Sequence, residues 1–159
     1  MNNIYLINFI DLTLEEKKLV LSWRNHPNIR KWMYDQEKIQ LKNHLNFIDN
    51  LNNTKDKKYF LVKNDKQYLG VIDFNNISKK SLVMGLYKNP NAYNVGNILL
   101  DTIIDYSFHI LKVDTIVSEV FESNVKAQQL YLSLGFNVSN NKIVNNKKVI
   151  VMELKNENR

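Results

Sequence analysis

The chain has 159 residues, 44% of them hydrophobic, enough to bury one core and too few for a second domain, so residues 1–159 read as a single domain. It contains no cysteine, which excludes disulfides, thiolate metal sites and thiol nucleophiles and leaves only His26, His44 and His109 as imidazole ligands, so no metal is expected. The net charge of +6 favours acidic partners, but the basic residues are scattered in pairs such as Lys17-Lys18, Lys57-Lys58, Lys79-Lys80 and Lys147-Lys148, the pattern of solvated surface.

In chain order, Ile4 to Phe9 alternates as a first strand, and Thr13 with Glu16 forms a capping box that opens a helix. That helix is expected to carry Leu14, Leu19, Val20, Leu21 and Trp23 toward the core and to stop at Pro27. A turn over Ile29 to Met33 follows, and Leu41, Leu45, Ile48 and Leu51 recur at helical spacing. Tyr59 to Val62 and Tyr68 to Phe74 read as strands joined by a turn at Asn64-Asp65-Lys66, with Ser81 to Tyr87 as the third strand of a meander. From Gly96 to Leu111 the residues Ile98, Leu99, Thr102, Ile103, Tyr106 and Ile110 predict one long amphipathic helix. Asp114 to Phe121 is a strand, Asn124 to Leu134 a helix closed by Gly135, and Phe136 to Ile143 and Lys148 to Leu154 a final antiparallel pair. Nothing in Met1 to Phe9 reads as a basic leader, and no stretch approaches the roughly 20 apolar residues of a membrane span. The expectation is a cytoplasmic protein with no membrane partner.

Gly96 begins a helix just after a strand and loop. That junction collects unpaired backbone N–H groups and the positive end of a helix dipole, a site suited to a diphosphate. Downstream, Val120 to Phe136 places an Asn at a strand end, then Ala127, Leu130-Tyr131 and Gly135-Phe136 along and after a helix. This segment resembles the second acyl-CoA motif of the GCN5-related N-acetyltransferases. Asn91-Ala92-Tyr93-Asn94-Val95-Gly96 is similar to the same family's Q/R-x-x-G-x-G/A phosphate loop, with Asn at its first position and at its first glycine. Asn tolerates positive φ better than other non-glycine residues, so Asn94 retains the capacity to form that turn.

The resemblance implies an α/β (α+β) fold: a mixed, mostly antiparallel seven-stranded sheet with helices on both faces and a splay between strands 4 and 5. It also implies acetyl-CoA as co-substrate. The cofactor would lie along Leu86 and Tyr87 of the splayed strand, pairing with them as an added strand would. Its phosphates would meet Asn94, Val95, Gly96 and Asn97, and Asn124 and Tyr131 would complete the site. Tyr131 is then the acid that reprotonates the departing thiolate. With unperturbed values of about 10 for tyrosine and about 8.5 for a thiol, that transfer is uphill by roughly 2 kcal/mol, a gap that a nearby dipole or hydrogen bonds would close. The attacking amine needs a base, for which Asp73 and Glu119 are the two candidates.

The string Trp23-Arg24-Asn25-His26-Pro27, then Trp32-Met33-Tyr34, Lys42-x-His44-Leu45-x-Phe47-Ile48 and Gly70-Val71-Ile72-Asp73-Phe74 resembles the branch of the family that acts in bacterial pseudaminic acid biosynthesis. That branch implies acetylation of the 4-amino group of UDP-4-amino-4,6-dideoxy-N-acetyl-β-L-altrosamine, a step toward the sugar that decorates flagellin. Arg24 and His44 would engage the UDP diphosphate, Asn75 and Tyr87 would line the pocket, and Trp32, Met33 and Tyr34 would form its apolar wall. A homodimer is left open. Two alternatives are an acetyltransferase of protein N-termini or ribosomal proteins, which would call for an open acidic groove, and a basic nucleic-acid-binding domain, which would need clustered cations with binding that falls steeply with salt.

Overall fold

A computed structural model describes residues 3–157, so the outermost two residues at each end of the single-domain reading lie outside it. Its seven strands are β1 (Tyr5–Asn8), β2 (Lys58–Lys63), β3 (Tyr68–Asn75), β4 (Ser81–Lys88), β5 (Thr115–Phe121), β6 (Asn137–Val144) and β7 (Lys147–Lys155). They form one mixed sheet in the order β1-β2-β3-β4-β5-β7-β6, antiparallel except where β4 runs beside β5. The parallel ladder covers only Ser81 to Met84 against Thr115 to Ser118. Past Met84 and Ser118 the two strands part. β4 continues on its other edge against β3 as far as Lys88 opposite Gly70, and β5 against β7 as far as Phe121 opposite Val149. The expected splay is therefore present, and it leaves the facing edges of Gly85-Leu86-Tyr87 and of Glu119-Val120-Phe121 without ladder partners.

Two cores cover the two faces. One is built by the even residues of β3 and β4, including Ile72, Phe74, Leu82 and Met84, under α4 (Gly96–Asp105) and α5 (Val125–Ser133), with Leu99, Leu100, Ile103 and Tyr131. The other holds Leu61, Val71 and Tyr87 beneath α1 (Leu14–Arg24), α2 (Pro27–Arg30) and α3 (Leu41–Asn50), with Phe9, Val20, Trp23 and Ile48. Period-2 strands buried on both faces supply the two cores from alternate residues of the same central strands.

Local chemistry explains most boundaries. The Thr13 hydroxyl accepts from Glu16 N while Glu16 Oε1 accepts from Thr13 N, the reciprocal pair expected. Leu14, at the first turn of α1, is 54% exposed instead of buried, because the helix meets its core only from Leu19 onward. Helix α1 ends at Arg24, before the proline. Asn25 leaves the helix to clasp Ile39, its Nδ2 donating to the Ile39 carbonyl at 2.9 Å and its Oδ1 accepting from Ile39 N at 2.8 Å. Pro27 opens the short α2, capped by His26 Nδ1, where a turn was expected. At the hairpin, Asn64 Oδ1 accepts from Lys66 N and Gln67 N.

The long helix expected over 96–111 changes form midway. Helix α4 stops at Asp105 and Tyr106–Ile110 is a π-turn, with Leu111 N donating to Tyr106 O at 2.9 Å. A π-turn inserts one residue into the 3.6 repeat. Tyr106 thus reaches Phe60 and Phe74, each ring centroid 5.1 Å away, Phe108 enters the core, and Ile110 rotates out to 61% exposure.

Gly70 lets α4 sit directly on the sheet. A Cβ there would lie 2.5 Å from Tyr87 O and 2.8 Å from Leu99 Cδ1. Gly70→Ala is expected to destabilise the fold by about 1–3 kcal/mol, the usual range for overpacking, read as a lower urea midpoint at unchanged slope.

Candidate active site

Two cavities meet at the splay. The first, about 440 Å³, opens on the α1–α3 side, and the second, about 460 Å³, on the α4–α5 side. Trp32, Met33, Leu86, Tyr87, Asn124 and Tyr131 line both. The unpaired edge of β4 thus forms the wall between them, with Tyr131 of α5 at the junction.

On the α4 side, Asn94 adopts φ 57°, the positive value its place in the loop requires. Helix α4 begins at Gly96 with no side-chain cap, so its first-turn N–H groups and dipole face the cavity that Asn94, Gly96 and Asn97 line. Val95 is not exposed there. Its side chain is 3% exposed and belongs to the core under α4. Asn124 caps α5, its Oδ1 accepting from Ala127 N at 3.3 Å. Lys31, Lys88 and Lys126 also border this cavity, cations that no sequence motif distinguished from the surrounding surface lysines.

On the α1–α3 side, Arg24 Nη2 donates to the Asp35 carbonyl at 3.0 Å, whereas Nη1 is buried and has no partner among the described residues. Burial holds this guanidinium below its ordinary pKa, yet it stays charged, so it offers one free donor to an anion in the cavity. His44 is 6% exposed and its Nε2 lies 2.8 Å from the Lys17 carbonyl. A carbonyl only accepts, so Nε2 carries the proton, and burial pushes the imidazole pKa down. The neutral ring keeps Nδ1 as an acceptor, and His44 lines the cavity, a setting that suits a hydroxyl or amide donor better than a phosphate oxygen.

Two carboxylates border the same space in different settings. Glu119 accepts from the Tyr34 hydroxyl at 2.5 Å and pairs with Lys142 Nζ at 3.0 Å. Tyr34, whose pKa burial and Glu119 push up, also packs edge-on against Phe121 at 5.7 Å. Asn145 Nδ2 donates to its carbonyl at 3.1 Å, so the segment after α2 is pinned to the β6–β7 hairpin. Asp73 has no cation partner among the described residues. Burial raises its carboxyl to about 7, against the hydrogen bond from Asn75 Nδ2 to Oδ1 at 2.8 Å. Asn75 itself lines neither cavity. It stands behind Asp73, a correction to the expected pocket role that follows from the two residues' shared strand face. Phe9, Ile39, Phe47 and Tyr59 complete the cavity, apolar or aromatic positions to which the sequence analysis assigned no place in the site.

Tyr131 is 7% exposed, with its ring 5.7 Å from Phe136. Burial raises its pKa, a hydrogen bond with Ser118 opposes the rise, and the Asp73 charge adds to it. Among the described residues no group of three or more His, Cys, Asp or Glu side chains is placed to hold a metal, and no helix is long and apolar enough to cross a membrane.

A seven-stranded sheet parted between its fourth and fifth strands, with an uncapped helix start on one side and a tyrosine at the junction, is the arrangement of an acyl-CoA N-acyltransferase. The acetyltransferase (GNAT) domain family matches residues 7–137, and the chain belongs to that family. It is similar to the acetyltransferase PseH of Campylobacter jejuni subsp. jejuni serotype O:2, at 47% identity over 135 residues, 85% of each chain. The crystal structure of C. jejuni N-acetyltransferase PseH in complex with acetyl coenzyme A superposes with a TM-score of 0.82 at 39% identity, covering 98% of this chain and 100% of that one. The spermidine N-acetyltransferase of Vibrio cholerae in complex with CoA and spermine reaches a TM-score of 0.85 at 19% identity over 96% of this chain and 95% of that one, a likeness of fold alone.

Because folding raises the Asp73 carboxyl to about 7 from an unfolded value of about 4, the native state binds more protons than the unfolded chain across that window. Stability is therefore lost as pH rises from about 4 to 7. Asp73→Asn keeps an acceptor for Asn75 and removes the titration. Urea midpoints from pH 5 to 8.5 should show the variant gaining on the wild type toward alkaline pH.

Proposed function

We propose that this protein is an acetyl-CoA-dependent N-acetyltransferase that acetylates the 4-amino group of UDP-4-amino-4,6-dideoxy-N-acetyl-β-L-altrosamine, a step of pseudaminic acid biosynthesis. The observation that carries the reading is Tyr131, which borders both the α4-side cavity and the α1-side cavity at the end of the short parallel ladder. Acetyl-CoA takes the α4 side, its diphosphate at the first turn of α4 near Asn94, Gly96 and Asn97 and its pantetheine arm along Leu86 and Tyr87. Lys31, Lys88 and Lys126 add positive charge around it. The amino sugar takes the α1 side. There the free Nη1 of Arg24 meets the UDP diphosphate, His44 Nδ1 accepts from a donor group, and Trp32, Met33 and Tyr34 wall the sugar.

Transfer is direct. The amine nitrogen attacks the thioester carbonyl, the N–C bond forms as the C–S bond breaks, the ammonium proton goes to a carboxylate and the sulfur takes the Tyr131 proton. Burial raises Tyr131, but it acts in the same sense on a thiol in the same dry slot, so the gap between the two groups stays small. Support for an amino-sugar acceptor comes from the likeness to PseH over 85% of the chain. Support for an anionic acceptor comes from the buried, half-satisfied Arg24.

Incubation with acetyl-CoA and 4-amino sugars, with and without UDP, while following thiol release tests the acceptor. UDP-linked sugars should react and free sugars should react far more slowly; acetylation of peptides alone would overturn the assignment. Tyr131→Phe should lower kcat by about a hundredfold or more, the usual scale for general acid catalysis, with acetyl-CoA affinity little changed. Unchanged turnover would remove Tyr131 from the acid role.

A further inference from the structure

We infer that Asp73 takes the proton of the attacking amine, and that Asn75 and Tyr59 are positioning residues which hold its carboxylate over Gly85 at the mouth of the splay. The inference deepens the proposed N-acetyltransfer and rests on it.

The geometry begins with a missing side chain. Gly85 is the first residue of β4 beyond the parallel ladder and stands directly opposite Asp73 in the antiparallel β3–β4 pair. A Cβ on Gly85 would lie 2.6 Å from Asp73 Oδ1 and 2.7 Å from Oδ2, closer than any side chain tolerates. Both carboxylate oxygens therefore occupy the space above the glycine, and Asp73 and Gly85 line the α1-side cavity together. This is where β4 loses its β5 partner and where a thioester carbonyl on the β4 edge meets an amine from the α1 side.

A relay fixes the carboxylate from behind. The Tyr59 hydroxyl donates to Asn75 Oδ1 at 3.4 Å, and Asn75 Nδ2 donates to Asp73 Oδ1 at 2.8 Å. Tyr59 pairs with Asp73 across β2–β3 and packs between Phe9 and Phe47, ring centroids 5.5 and 5.0 Å away, so its ring is locked. Oδ1 is held and Oδ2 is left toward the cavity. The groups that share this space are Arg24 from α1, His44 from α3, Tyr87 from β4, Glu119 from β5, Tyr131 from α5 and the Asp35 carboxyl before α3. Arg24 stays a cation, burial keeps Tyr59, Tyr87 and Tyr131 protonated and His44 neutral near pH 7, and Glu119 is occupied by Tyr34 and Lys142. Asp73 alone combines a buried seat, a free oxygen and a proton affinity matched to neutral pH. In the step itself its Oδ2 accepts the proton released as the N–C bond forms, and solvent removes that proton before the next turnover.

The test compares pH profiles of kcat/KM for the amine acceptor in the wild type and in Asp73→Asn, Asn75→Ala, Tyr59→Phe and Glu119→Gln. Asp73→Asn should lose about a hundredfold in rate together with the acidic limb that the carboxylate imposes. Asn75→Ala removes a hydrogen bond to the charged form, so its acidic limb should move to higher pH by about half a unit to one unit, activity recovering at alkaline pH with the acetyl-CoA KM unchanged. Tyr59→Phe should give a smaller shift in the same direction, and Glu119→Gln should leave the limb in place. The side-chain carboxyl carbon of 13C-labelled Asp73, assigned by its loss in Asp73→Asn, should titrate near 7 in the ligand-free protein and shift upward in Asn75→Ala. If the wild type acetylates no amino sugar, the functional reading fails while this titration still decides the positioning. An Asp73→Asn enzyme that keeps the wild-type limb, a Glu119→Gln enzyme that loses it, or an Asn75→Ala protein with an unmoved limb and carboxyl midpoint overturns the inference.

Discussion

Everything at the centre of this molecule depends on how early the β4–β5 ladder stops. Four residue pairs hold the strands together, and both then continue with other partners, β4 with β3 and β5 with β7. A parallel pair carries no hairpin to force its closure, and its strands are free to follow the twist of their outer neighbours. The result is an exposed backbone edge inside the sheet, flanked by a dry core on one side and an aromatic layer on the other. Unpaired backbone groups near a core are costly unless something meets them. A ligand pairing with this edge as an extra strand would meet them and so complete the sheet.

The two halves of the site are made by opposite strategies. On the α4 side, the cavity is bordered by backbone: an uncapped helix start, a residue at positive φ and a bare strand edge. Such groups are fixed by the fold and depend little on side-chain identity, which is how a loop carrying Asn91 and Asn94 in place of more usual residues keeps its shape. On the α1 side, the polar lining is made by side chains held by second partners. Arg24 is tied to Asp35, His44 to Lys17, Glu119 to Tyr34 and Lys142, and Asp73 to Asn75. Both oxygens of Glu119 are taken, whereas Arg24 keeps Nη1 and Asp73 keeps Oδ2 without a partner among the described residues.

This difference also governs what could be read from the residues alone. The strand and helix order, the capping box at Thr13 and the turn at Asn64 follow from local patterns, and so does the spacing from Asn124 to Phe136 that marks the family. The membership of the cavity does not. Phe9, Phe47 and Tyr59 look like core residues because they are apolar and periodic, and only the crossing of α1, α3 and β2 decides that their rings face a cavity. Lys31, Lys88 and Lys126 lie far apart in sequence and look like the other lysines. Asn75 was read as a wall of the pocket; it shares a strand face with Asp73 and hydrogen-bonds to it, and only the packing of the layer above that face decides that Asp73 and not Asn75 reaches the cavity. The π-turn at Tyr106 escaped for a similar reason: a 3.6 repeat fits the segment on either side of it, and only packing against Phe60 and Phe74 selects the inserted residue.

The charge on Asp73 is one of the causes that hold the Tyr131 proton in place. With the two groups at one junction, their titrations are not independent: a carboxyl that has gained a proton no longer repels a forming phenolate. Proton uptake by Asp73 therefore loosens the proton on Tyr131. The two protonation equilibria at the junction are thereby coupled by Coulomb's law, with no moving part between them.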